Sequence, residues 1–170
     1  LLEQFNIDKR EKIGNLSYGQ PKKVNIAFGI ATQTRILLMD EPTNGLDIPS
    51  KTQFRKLLAK YTSDDKIIII STHQIRDVHH LIDHILILNQ THLILDESIY
   101  DLGKKIKFTT NPADTEKALY KEQSIQGYHS IVKNELQEDS PFDIELLFNA
   151  ISNDKAIIKA LQTSNTEKHV

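Results

Sequence analysis

The apolar residues of this chain first follow a helical rhythm. Val24, Ala27, Phe28 and Ala31 stand at i, i+3, i+4 and i+7, one face of a helix over residues 21–32. The rhythm then gives way to the continuous run Ile36, Leu37, Leu38 and Met39, closed by Asp40 and Glu41. Such a run predicts a strand buried on both faces of a parallel sheet. Pro49 opens a second helix, with Asp47 as its cap and Phe54, Leu57, Leu58 and Tyr61 as its buried stripe. Residues 67–71 repeat the buried-strand pattern, and Ile75, Val78 and Ile82 mark a third helix. This alternation predicts an α/β layer built on a parallel sheet.

After Ile82 the pattern changes. Residues 85–88 and 93–95 are apolar and flank a polar turn at residues 89–92, which predicts an antiparallel hairpin on the sheet edge. Beyond Gly103 the alternation stops. Residues 104–109, 127–134 and 141–152 predict a small α+β appendage, and the polar residues 164–170 a frayed end. The expected division is therefore residues 1–102 and residues 103–170.

Composition narrows the options. A chain of 170 residues can bury one sizeable core, alone or with a small satellite. A net charge of −2 gives no broad basic surface for nucleic acid. The absence of cysteine removes disulfides and thiolate metal sites. No apolar run approaches the roughly 20 residues of a membrane-spanning helix. The opening at Leu1, without methionine, reads as the interior of a longer protein.

Three short segments carry candidate chemistry. In Leu16-Ser17-Tyr18-Gly19-Gln20, Ser17 and Gln20 have the spacing of a capping box, and Gly19 keeps backbone N–H groups accessible at a helix start. Such an end binds phosphate, although a plain capped helix has the same form. Asp40 and Glu41 follow an apolar strand, where open α/β sheets place ligands. An Asp there suits Mg²⁺ and a neighbouring carboxylate can deprotonate water; ordinary solvated acids would look alike. Ser71-Thr72-His73 ends the next strand, and a histidine there can reach a terminal phosphate or serve structure alone. Gly14 and Gly19 have the spacing of a P-loop, but Gln20 and Pro21 follow where Lys and Ser/Thr are needed. The chain has no Walker A sequence. His79, His80 and His84, with Asp77 and Asp83, do not converge into a metal site on a helix running into a strand.

Taken together, these segments resemble the ATP-binding domain of ABC transporters. Leu16 through Gln20 resembles the signature LSGGQ, residues 36–47 resemble the Walker B strand and D-loop, and Ser71-Thr72-His73 resembles the switch-histidine loop. The resemblance covers about residues 1–102 and implies a partial P-loop NTPase fold of the ABC type. It implies that two such domains pack head to tail with ATP between them. Ser17, Gly19 and Gln20 would then contact nucleotide held by the partner domain. Asp40 would support Mg²⁺, Glu41 would be the catalytic base, and His73 would contact the γ-phosphate. Asn44, Gly45, Leu46 and Asp47 would line the dimer interface. Tyr18 stands where the family has glycine and adds a ring beside the phosphate site. The Walker A loop, the adenine-stacking aromatic and the Q-loop glutamine precede the signature in the family and are absent from these residues.

The resemblance implies an ATPase subunit that powers transport through a separate permease, peripheral at the cytoplasmic face of the membrane. A portion without Walker A would be inactive alone. A soluble ABC protein acting on ribosomes or nucleic acid is the alternative. Ribosome-associated members often carry Ser-His-Asp-Arg at the switch, whereas this chain has Thr72-His73-Gln74-Ile75-Arg76, and no basic patch accompanies it. A regulatory portion without turnover is the third reading.

Overall fold

In the computed structural model, the described residues are 1–125 and 127–163, with the side chains of residues 155, 156, 162 and 163 left aside. Residues 164–170, expected to fray, lie outside them. The chain forms two compact units, Leu1–Leu81 and Ile82–Val170. The hairpin expected with the ATP-binding part thus groups with the C-terminal residues.

The first unit opens with 3₁₀ turns at Leu2–Phe5 and Ile13–Asn15. Helix α1, Gln20–Ala31, follows, with Pro21 in its first turn where a missing N–H is tolerated. Strand β1, Ile36–Asp40, leads to helix α2, Ile48–Tyr61, and then to strand β2, Ile67–Ser71. β1 and β2 pair in parallel, from Ile36 opposite Ile67 to Asp40 opposite Ser71. This is the expected α/β layer. Asp47 caps α2, accepting the Ser50 N–H at 2.8 Å, and Phe54, Leu57 and Leu58 are buried as the stripe requires.

Three expectations differ. On α1 the buried positions are Ile26, Ala27 and Ile30, while Phe28 is 70% exposed. The face against Phe54, Leu57 and Val78 lies to one side of the stripe read from the sequence. Gly29 lets α1 approach β1, since a Cβ there would stand 3.2 Å from the Leu37 side chain. The strands are not buried on both faces. Leu37, Met39, Ile68 and Ile70 pack on the core, while Ile36, Leu38, Ile67 and Ile69 are exposed. The third helix is only a 3₁₀ turn at Ile75–Asp77, held by the Asp77 N–H on the Gln74 carbonyl and the Val78 N–H on the Ile75 carbonyl. Ile, Val and His pairs are weak helix formers, and Val78 alone of the expected stripe is buried.

The second unit begins with the expected hairpin, β3 at His84–Asn89 and β4 at His92–Ser98. It forms a two-stranded sheet of its own and does not pair with β1 or β2. Helix α3, Ile99–Lys105, runs directly into strand β5, Ile106–Thr109. Gly103 lies inside that helix, and its carbonyl accepts a hydrogen bond from Asn134 Nδ2 at 2.6 Å. After the short helix α4, Pro112–Thr115, come β6, Tyr120–Ser124, and β7, Gly127–Lys133. These strands form an antiparallel sheet in the order β5-β7-β6. Helices α5, Ile144–Asn153, and α6, Lys155–Thr163, complete the α+β arrangement. Leu102, Ile106, Ile131, Leu147 and Ile157 form its driest positions. No helix among the described residues is long and apolar enough to cross a membrane.

Candidate functional site

The parallel register aligns the ends of β1 and β2. Asp40 lies opposite Ser71, and the Glu41 N–H donates to the Ser71 carbonyl at 2.8 Å. The backbone leaves the sheet at Glu41 with φ 44°, a left-handed conformation rare for a residue with a side chain. Such strain persists only where the surroundings enforce it. Here the enforcement comes from the loop after β2. The His73 N–H donates to Glu41 Oε1 at 3.0 Å, and His73 Nδ1 lies 2.5 Å from the same oxygen. The Thr72 hydroxyl donates to Glu41 Oε2 at 3.1 Å, and the Ser71 hydroxyl donates to Asp40 Oδ1. One strand end thus supplies two acids and the next supplies the groups that hold them.

Burial pushes the Glu41 carboxyl upward. The hydrogen bonds from the His73 ring, the His73 backbone and Thr72, together with the charge of His73, outweigh this and hold it below its ordinary range. Glu41 is therefore a carboxylate at neutral pH, as a proton acceptor must be.

The second group of residues sits at the start of α1. Gln20 Oε1 accepts the Ser17 N–H at 2.7 Å, one half of the capping box. The other half is absent, because Gly19 is the cap residue and no side chain caps the helix. The Ser17 hydroxyl is thus not spent on capping. Tyr18 beside it is 98% exposed. Gly19 also lies close to residues 44–47, since a Cβ there would come within 3.6 Å of the Gly45 carbonyl oxygen. Gly45 itself has φ 77°, which glycine adopts without penalty.

Two lysines that sequence reasoning missed join these segments. Lys22 Nζ donates to the Asn44 carbonyl at 2.9 Å, and Lys23 Nζ lies 3.6 Å from Asp47 Oδ2. Hydrogen bonds from Ser50 are the main cause that holds the Asp47 carboxyl below its ordinary range, and Lys23 adds to it. Leu46 is buried, whereas Asn44, Gly45 and Asp47 are exposed. All the candidate residues accordingly belong to the first unit. Ser71 and Thr72 were legible as part of a motif, but their grip on Asp40 and Glu41 needed the strand register.

The carboxylate pair has the donor chemistry for a divalent cation, and the start of α1 has that for phosphate. A strand-end Asp-Glu pair, a histidine loop on the neighbouring strand and a Ser/Gly-headed helix on one α/β unit together have the donor chemistry that a metal-bound phosphate needs.

Comparison with known proteins narrows this. Residues 1–44 match the family model described as ABC transporter. Over 83 residues the chain is 36% identical to the chelated iron transport system membrane protein YfeB of Yersinia pestis, covering 49% of this chain and 28% of that protein. Over 102 residues it is 34% identical to the lantibiotic transport ATP-binding protein SrtF of Streptococcus pyogenes, covering 60% and 44%. Over 136 residues it is 28% identical to the ABC transporter ATP-binding protein MJ1023 of Methanocaldococcus jannaschii, covering 80% and 52%. The last two alignments are longer than the first compact unit. A solved structure described as a cobalt transport ATP-binding protein, cbiO-2, superposes with a TM-score of 0.53 at 22% identity, covering 89% of this chain and 56% of that one. It shows the same fold. These matches support a portion of an ABC-type ATP-binding domain. The chain spans about half or less of the length of the curated relatives it matches.

Proposed function

We propose that the protein carrying this chain hydrolyses ATP and powers membrane transport through a separate permease, at the cytoplasmic face. The observation that carries this reading is the seating of Glu41 between Thr72 and His73 at adjoining strand ends. Two such domains work head to tail. Ser17, Gly19 and Gln20 contact nucleotide bound on the partner domain, and the exposed Asn44, Gly45 and Asp47 face that partner. Asp40 supports Mg²⁺, which when bound neutralises charge on the phosphates. Glu41 takes or shares the proton of attacking water, and His73 meets the γ-phosphate. The ATP-binding part extends to about residue 102, the span over which the sequence motifs resemble the family. Residues 103–170 form a small accessory region.

The 170 residues hold no Walker A sequence, so they are not expected to hydrolyse ATP by themselves. The exposed face of Ile36, Leu38, Ile67 and Ile69 supports completion of this sheet by further polypeptide.

Glu41→Gln tests the proposal in a complete protein that includes this chain. Gln keeps the shape of Glu and cannot act as the base. ATP affinity should persist while turnover falls by at least about two orders of magnitude, the usual contribution of a general base. An ATP-bound dimer should accumulate on size-exclusion chromatography. Near-normal turnover would move the base elsewhere, to His73 first.

A further inference from the structure

Lys51 lies one turn past the cap of α2, and its backbone N–H bonds the Asp47 carbonyl at 2.9 Å. Its side chain reaches away from residues 44–47 to the loop after β2. Lys51 Nζ donates to Gln74 Oε1 at 3.0 Å and lies 2.7 Å from Asp77 Oδ2. Both ends of the ion pair are mostly buried, with 24% and 14% of the side chains exposed. An ion pair so placed is screened less than a surface pair. One turn further along α2, the Arg55 guanidinium makes a longer contact of 3.5 Å to the Asp77 carbonyl.

The segment that Lys51 holds is the one that seats Glu41. The Gln74 N–H donates to the Thr72 hydroxyl at 2.9 Å, and that hydroxyl in turn donates to Glu41. His73 lies between these two residues and makes both of its contacts to Glu41 Oε1. With the expected third helix reduced to a 3₁₀ turn, no regular helix fixes the position of residues 72–78.

We propose that Lys51 is a positioning residue: it pins the loop of Thr72, His73 and Gln74 to α2 and so keeps the Glu41–His73 pair in register with residues 44–47. Lys51 touches neither Glu41 nor His73 and acts through Gln74 and Asp77. Lys23 on Asp47 extends the same chain of contacts back to α1. The inference rests on the assignment of Glu41 and His73 to ATP hydrolysis.

The test compares Lys51→Met and Lys51→Arg with the unaltered complete protein, alongside Glu41→Gln. Lys51→Met should lower kcat about tenfold with the KM for ATP held, because loss of positioning by about 1 Å costs up to two orders of magnitude. Lys51→Arg, which can bond Gln74 and Asp77 in a fork, should recover most of the rate. Hydrogen exchange of the backbone amides in residues 72–78 should quicken in Lys51→Met and not in Lys51→Arg, with or without ATP. Unchanged kcat and unchanged exchange in Lys51→Met would overturn the proposal. So would equal losses in both variants, which would mark a residue needed only for folding. Full turnover in Glu41→Gln would instead overturn the functional assignment, while the exchange measurement would still decide whether Lys51 pins the loop.

Discussion

The two units solve the burial problem differently. In the first, a parallel pair of strands is covered on one face only, by α1 and α2, and Ile36, Leu38, Ile67 and Ile69 stay exposed. In the second, β7 is flanked on both edges, Ile131 is fully buried, and α5 contributes Leu147 and Ala150 at 0% exposure. The candidate site residues all lie in the first unit, at strand ends and a helix start. Strand ends and helix starts can present polar groups to a ligand, whereas a strand flanked on both edges, such as β7, spends its backbone groups on its own ladder. The second unit has ion pairs of its own, such as Lys107 Nζ with Glu138 Oε2 at 2.7 Å, in which hydrogen bonding to the carboxylate raises the lysine pKa.

This contrast can be broken most directly by paired core and face substitutions. Leu147→Ala should destabilise the second unit by about 2–5 kcal/mol, the range for emptying a fully buried leucine site. Leu38→Thr in the 170-residue chain should stay within about 0.5 kcal/mol, as for other surface changes. Urea unfolding of both variants measures the difference. A large loss in Leu38→Thr would mean that the exposed face is already covered in solution, for instance by a second copy. A smaller effect is expected at the start of α2. Asp47→Ala removes the acceptor for the Ser50 N–H and should cost about 1 kcal/mol, read as a lower thermal midpoint of the first unit alone. Loss spread over both units would erase the distinction between them.

The smallest effect is a pH dependence confined to the first unit. Glu41 has a folded-state pKa below its ordinary 4.5. The unfolded chain therefore binds the proton more readily, and the stabilisation is fully present above 4.5 and lost as pH falls through the lower folded value. Carboxyl carbon NMR of Glu41 should show a midpoint below 4.5, with His73 and Thr72 amide shifts following it. A midpoint at or above 4.5 would separate Glu41 from the loop after β2.

Much of the candidate site was legible because its motifs are local. Ser17 through Gln20, Asp40-Glu41 and Ser71-Thr72-His73 are short strings at the ends of predictable elements, and the Asp47 cap lies three residues from its partner. Lys51 left a faint signal, four residues after Asp47 and so on the same side of α2. Its partners, Gln74 and Asp77, are more than twenty positions away, and nothing in local pattern joins them.

The sequence by itself determined which segments become helix and strand in α1, β1, α2, β2 and the hairpin, because side-chain period and capping act over a few residues. It also singled out Asp40, Glu41, His73 and the segment from Ser17 to Gln20 as candidates. Tertiary structure decided which face of α1 is buried, since Phe28 and Ile30 are equally apolar and only the neighbouring α2 distinguishes them. It decided that only residues 75–77 form a 3₁₀ turn where a longer helix was expected, with Lys51 and Arg55 reaching Asp77 from another element. It decided the left-handed backbone at Glu41, which local preference disfavours and which the hydrogen bonds of Thr72 and His73 enforce. Contacts between residues distant in the chain have no local signature, because their energy appears only after the loops between them have closed.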